Sequence, residues 1–328
     1  MSSSSSSYRV QYDLRPAKQV ERRMIVDALQ RLAAAQFSIA DYQYTGFGSF
    51  YFVDFIMFHK LLGLNKLLSL EHDTSLSSRV EFNRPFKCVE TKMVSAATEI
   101  PNLSRDRSHI VWLDYDGVLN LDFVSDIQSA LTVLRPGSVL LVTVDVEPPE
   151  ATDYVGVDLD FDTSKELLGP RHWRKYFEHH AGQFLDLGLT DDDFAKSKLQ
   201  SQTMRILSRA FKRFILPRPG MEFIPLFNFV YRDSHWMLTM GGMIAGRPEK
   251  RQLRGSSIAE APYYRGDFEQ APFEITVSGL TRKERMYLDR EMPCSEDWVP
   301  EDFALDPEVL RRYREIYRFL PAFAELLL

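Results

Sequence analysis

The stretch IPLFNFVY (224–231), RDS (232–234), HWMLTMGGMI (235–244) decides the fold. Both flanking runs are β-prone and the polar break between them has hairpin length, so they predict an antiparallel strand pair. What precedes the pair gives it meaning. SVLLVTVDV (138–146) and HIVWL (109–113) are short continuous apolar runs, the pattern of strands buried on both faces. The second of these stops at Asp114-Tyr115-Asp116-Gly117, a composition that predicts a turn. Residues 122–134 repeat at helical period, and Arg135-Pro136-Gly137 ends that helix. Further back, residues 86–89 predict a short strand, 75–83 a polar helix, and KLLSLE (66–71) a buried strand ending in an acid. Gln43, Tyr44 and Thr45, then Gly46-Phe47-Gly48-Ser49, then a helical run over 52–62, predict strand, glycine turn and helix. Five alternations of strand and helix specify an α/β class fold: a parallel sheet with right-handed crossovers and helices on both faces, closed by the hairpin.

Outside this series the chain has three further parts. Residues 20–35 place Met24, Ile25, Ala28, Leu29, Leu32 and Ala33 at helical spacing, which predicts an amphipathic helix behind a serine run at 2–7. Between the fifth strand and the hairpin, residues 148–222 are too many for a plain connection and predict a helical insertion, with a helix over 191–214. After Gly246 the chain turns polar and arginine-rich, then offers a short strand at 273–277 and helices at 281–290 and 307–319. The expected organisation is a lead and helix over 1–37, an α/β domain over 38–247, and a carboxyl-terminal region over 248–328.

Composition narrows the class. With 45% hydrophobic and 26% charged residues among 328, the chain has the balance of a globular protein that can bury a sizeable core. No apolar stretch approaches the ~20 residues of a membrane helix, so no spanning segment is expected. A net charge of −6 disfavours a general nucleic-acid coat, though local basic patches remain open. Cys88 and Cys294 form no CxxC pair, and with no secretory pattern at the amino terminus the expected location is the cytoplasm.

The glycine turn carries the first chemical signal. Glycines between a strand and a helix allow close backbone approach, and free amides at the helix start can meet a carboxylate or phosphate. Glu71 follows Gly48 by about 23 residues at the end of the next strand, the place of an acid that accepts both hydroxyls of a ribose. With these residues in view, the chain resembles a class I, Rossmann-like S-adenosylmethionine-dependent methyltransferase, of the divergent bacterial kind labelled "putative O-methyltransferase", over residues 42–245. In that fold the doubly wound, mostly parallel seven-stranded sheet ends in an antiparallel hairpin, whereas nucleotide-binding dehydrogenases continue with a parallel sixth strand.

The resemblance implies a cofactor, S-adenosyl-L-methionine, and roles for named residues. Gly46, Phe47, Gly48 and Ser49 would hold its methionine end, Glu71 its ribose, and His72 or Asp73 would flank the adenosine. Glu90 and Thr91 would border adenine, and Asp114, Tyr115, Asp116 and Gly117 would face the methyl group. Two departures stand out: Tyr44-Thr45 replaces the acid common before the loop, and Phe50 stands where a third glycine is usual. Asp54, one turn into the helix, is the candidate to replace that acid.

Asp114 and Asp116 are the candidate catalytic groups, as base or as orienting acceptors, since methyl transfer needs in-line placement and, for poor nucleophiles, proton removal. The alternatives are a helix cap, or a magnesium or calcium site that lacks a third local acid. The histidines form no HxxxH or HExxH pair, and no metal is expected. The expected methyl acceptor is a small-molecule or protein oxygen. Nucleic acid is the second choice, because Asp-Tyr-Asp-Gly resembles the D-P-F-G motif of tRNA guanine N-methyltransferases, with tyrosine for proline. A non-catalytic scaffold is the alternative class. Arg205, Arg209, Lys212, Arg213 and Arg218 read as a solvated helix face or as an acidic-acceptor or RNA-contacting surface. Tyr287, Tyr313, Tyr317, Phe319 and Phe323 can pack on their own domain, dock a protein partner or join a second copy.

Overall fold

The computed structural model describes residues 15–157, 161, 163 and 166–322. The serine run and Phe323 lie outside the described residues. The chain runs α1 (Pro16–Ala34), β1 (Gln43–Phe47), α2 (Val53–Leu62), β2 (Leu67–Leu70), α3 (Ser77–Asn83), β3 (Val89–Lys92), α4 (Ala96–Glu99), β4 (His109–Val118), α5 (Leu121–Val133), β5 (Val139–Asp145), α6 (Pro170–Ala181), α7 (Lys196–Ile215), β6 (Glu222–Arg232), β7 (Trp236–Ala245), α8 (Arg247–Arg254), β8 (Phe273–Ile275), α9 (Arg282–Glu291) and α10 (Pro307–Ile316).

These strands form one sheet in the order β3-β2-β1-β4-β5-β7-β6-β8. Its pairings are parallel except where β7 runs antiparallel between β5 and β6. The order reverses between β1 and β4, and in sheets of this kind ligands bind at such a reversal, beyond the carboxyl ends of the parallel strands. Strand periodicity divides the core: Ile110 and Trp112 pack on one face, Val111 and Leu113 on the other. Helices α1 and α2 cover the first face and α5, α6 and α7 the second.

Three expectations are corrected. The sheet has eight strands rather than seven, because Phe273 and Ile275 are buried and β8 pairs in parallel with Phe229–Tyr231 of β6. β3 begins at Val89, not at residue 86, since the Val89 amide donates back to the Phe86 carbonyl at 3.1 Å and closes a turn there. The predicted turn after Leu113 is a bulged continuation of β4: Asp114 pairs with Thr143 and Val118 with Asp145, so the β4 side carries two extra residues.

Candidate active site

Registers align the candidate groups. Gly46 pairs with Trp112 and Phe47 with Leu70, so continuing each register brings Gly48, Glu71 and Asp114 to one level, just beyond β1 and β2 and at the start of the bulge in β4. Two strand spacings, about 10 Å, separate the Glu71 and Asp114 backbones. Gly48 lies hard against β2, where a Cβ would collide with the Ser69 hydroxyl and the Phe52 ring. The loop turns without a third glycine because Ser49 (φ 46°) and Phe52 (φ 47°) themselves adopt the left-handed conformation. That conformation is strained for a side chain as large as phenylalanine, and such strain clusters at functional sites.

Glu71 is the first residue beyond β2. Its Oε1 accepts the Asp73 amide at 3.1 Å and lies 3.4 Å from His72 Nδ1, while Oε2 has no hydrogen-bond partner among the described residues. His72 is exposed. Asp73 is turned away, capping the next turn through Ser75. Because β3 starts late, Glu90 is its second residue, paired with Leu68, and lines a groove with Gln43, Asn65 and Lys66 at the amino ends of strands. Thr91 donates to Glu81 at 2.9 Å. The residues that follow β3 are Met93 and Val94.

On β4, Tyr115 stacks on Phe123 (3.6 Å, 9°), meets Phe47 at 5.3 Å and donates its hydroxyl to Asp126 at 2.7 Å. Burial, with Asp126 alongside, pushes the Tyr115 phenol well above its ordinary pKa, so it stays a donor. Asp116 is exposed at the outer bend of the bulge. Asp114 is four-fifths buried, and its Oδ1 accepts from Lys18 Nζ at 2.6 Å.

That lysine is a site residue the sequence reading missed. Lys18, in the first turn of α1, also lies 2.8 Å from Glu21 Oε2, 3.0 Å from the Tyr231 hydroxyl and 4.4 Å from the centre of the Trp112 ring. Burial alone would lower its pKa, but Asp114 and Glu21 outweigh burial and hold the ammonium well above its ordinary value. Glu21 is fully buried, and that burial raises its carboxyl against the pull of Lys18. Arg22 from the next position of α1 binds Asp54, so that carboxylate is already engaged by a guanidinium. The available signal was phase: Lys18, Glu21 and Arg22 fall on the same helical stripe as Ile25, Ala28, Leu29 and Leu32.

The turn between β6 and β7 reaches the same end of the sheet. His235 Nδ1 lies 2.8 Å from Asp145 Oδ2, and burial raises the Asp145 carboxyl despite that partner. Asp233 Oδ2 is buried without a hydrogen-bond partner, and burial raises its carboxyl too. No group of three metal-ligating side chains occurs among the described residues, and no described helix is long and apolar enough to cross a membrane. Several cations of 205–218 are used internally: Arg209 holds Asp186 and the Phe184 carbonyl, Arg218 the carbonyls of Leu131 and Leu134, and Lys212 pairs with Glu269.

A doubly wound sheet with its last strand inserted antiparallel, and a strained glycine loop level with an acid on each neighbouring strand, define the Rossmann-like methyltransferase fold. The model of the family described as "Putative O-methyltransferase" matches residues 10–328, and the chain belongs to that family. No curated protein matches it in sequence. Among solved structures it is similar to Trm1 from Pyrococcus horikoshii in complex with S-adenosyl-L-methionine (12% identity, 72% of this chain and 57% of that one, TM-score 0.44). It is similar also to the O-methyltransferase TomG from Streptomyces achromogenes in complex with S-adenosylmethionine (17%, 74% and 94%, 0.36). The S-adenosylmethionine-dependent methyltransferase SibL is a third (12%, 62% and 50%, 0.33). The chain spans about half the length of the first solved structures it matches.

Proposed function

We propose that the protein transfers a methyl group from S-adenosyl-L-methionine to an oxygen of a small molecule or protein. The observation that carries this reading is the pair of open carboxylate oxygens, Glu71 Oε2 and Asp114 Oδ2, at one level on strands that flank the glycine loop. The donor set suits the cofactor: a carboxylate accepts from ribose hydroxyls, and the loop from Gly46 to Ser49 brings backbone to the methionine end. When bound, the cofactor supplies an electrophilic methyl on a sulfonium.

The chain's own residues then do three things. Glu71 orients the cofactor through its free oxygen. Phe47 and Tyr115, 5.3 Å apart, wall the crevice between β1 and β4 and restrict water. Asp114 accepts a hydrogen bond from the acceptor's hydroxyl and directs its lone pair, and it takes the proton where the acceptor is a weak nucleophile. Asp116, at the bend of the bulge, contacts the acceptor from outside. Arg22 keeps Asp54 as an indirect support of the loop by fixing the first turn of α2 against α1.

Calorimetry with S-adenosylmethionine, S-adenosylhomocysteine and NAD tests the reading. The two sulfur ligands are expected to bind and NAD is not. At 100 times its dissociation constant a ligand stabilises the native state by about 2.7 kcal/mol, which a melting curve resolves. No shift with millimolar S-adenosylhomocysteine would remove the cofactor assignment.

A further inference from the structure

The Lys18 ammonium donates to two oxygens from two strands, Asp114 of β4 at 2.6 Å and Tyr231 of β6 at 3.0 Å, and forms an ion pair with Glu21 of its own helix at 2.8 Å. With the Trp112 ring behind it and only 4% of its side chain exposed, Lys18 has no room to meet a ligand. It can act only through its neighbours. Of these, Glu21 and Tyr231 are fully buried or nearly so, and Asp114 alone is partly exposed, with Oδ1 tied to Lys18 and Oδ2 without a hydrogen-bond partner among the described residues. A carboxylate held by one oxygen has its other oxygen aimed.

We propose that Lys18 is a positioning residue, fixing the Asp114 carboxylate so that Oδ2 is presented to the group at the point of methyl transfer. The inference rests on the donor site proposed above. It gives α1, a helix outside the alternating strand–helix series, a part in the reaction.

Two cofactor analogues read this without knowledge of the acceptor. Sinefungin carries an ammonium where the methylated sulfur stands, and S-adenosylhomocysteine is uncharged there. Calorimetric titration of the wild type is expected to give about a tenfold preference for sinefungin, the scale of one hydrogen bond to a charged group. Asp114→Asn should abolish the preference. The sign in Lys18→Met separates two roles. A lysine acting only by its charge repels the ligand's ammonium, so removing it would strengthen the preference; a lysine that aims Asp114 weakens it when removed.

The expected result for Lys18→Met is a preference within about threefold of parity, with S-adenosylhomocysteine affinity changed by no more than about twofold. Tyr231→Phe, which removes one of the two hydrogen-bonded oxygens and no charge, should lie between the wild type and Lys18→Met. A preference that rises or holds in Lys18→Met overturns the proposal. Should Lys18→Met not fold, an unchanged preference in Tyr231→Phe overturns it. If Asp114→Asn keeps the wild-type preference, the placement of Asp114 at the methyl is what fails, and the positioning role falls with it.

Discussion

Glu71 and His180 each lend themselves to a single-residue test. Glu71→Ala removes the carboxylate proposed for the ribose, and calorimetry should show S-adenosylhomocysteine bound more weakly by about 1.5–3 kcal/mol, the cost of losing a charged hydrogen bond. Unchanged affinity would exclude that role. His180 offers a pH test. It is buried on α6, its Nδ1 accepts the Leu121 amide at 3.3 Å, and burial, with His179 beside it, pushes its pKa from 6.5 down to about 4. Protonation would remove the acceptor and set a cation at the start of α5. Because the folded state holds this proton less tightly than the unfolded state, the stabilisation is complete above pH 6.5 and is lost as pH falls toward 4. In urea titrations His180→Gln, whose amide oxygen can still accept, should lose less stability than the wild type between neutral pH and about pH 5. Equal losses would show that His180 does not govern acid sensitivity.

At the scale of elements, β7 is the tightest place in the sheet. Gly241 and Gly242 sit between β5 and β6, where a Cβ on Gly241 would stand 2.6 Å from the Leu140 carbonyl oxygen and one on Gly242 would run into the Ile224 carbonyl. The nearby irregularity in β6 falls at Pro225, which has no amide to donate. Gly242→Ala should therefore lower stability by about 1–3 kcal/mol, seen as a lower urea midpoint at constant slope. An unaltered midpoint would mean that the strands can part at no cost. Elements were legible in the sequence where apolar runs were continuous and bounded, as in β2, β5 and the hairpin. β4 was misjudged beyond Leu113 because Asp-Tyr-Asp-Gly has turn composition, while its extended course is held by tertiary contacts of Tyr115 with Phe123 and Asp126 that no local pattern contains. The same limit hid the partners of α1: the phase of Lys18 was readable, but its ties to Asp114 and Tyr231 span 96 and 213 residues.

Across the whole molecule, apolar packing is uneven. Two large clusters occupy the two faces of the sheet, while Leu288, Leu310 and Tyr313 centre a small third one formed by α9, α10 and the segment between them. A small core buries less apolar surface and opens at lower free energy. Amides of α9 and α10 are expected to exchange with deuterium well before those of β1, β4 and β5, and mass spectrometry of peptic fragments would show it. Simultaneous exchange would make the chain one cooperative unit. The two helices and the short strand at 273–277 were legible in the sequence, but the pairing of that strand with β6 was not, since its register partners lie beyond β7 in the chain and leave no local pattern.

The distance between Lys18 and Tyr231 also has a meaning in time. On a translating ribosome Lys18 emerges well before Tyr231, the tyrosine that its ammonium bonds, which is added 213 residues later, an interval of roughly 10–40 s at ordinary elongation rates. Throughout that interval the stripe that carries Lys18, Glu21 and Arg22 among apolar side chains lacks part of its burial site. Helix α1 is thus made early and finds its full set of partners late, and a nascent chain stalled before β6 would hold an amphipathic helix with its buried stripe open to chaperones.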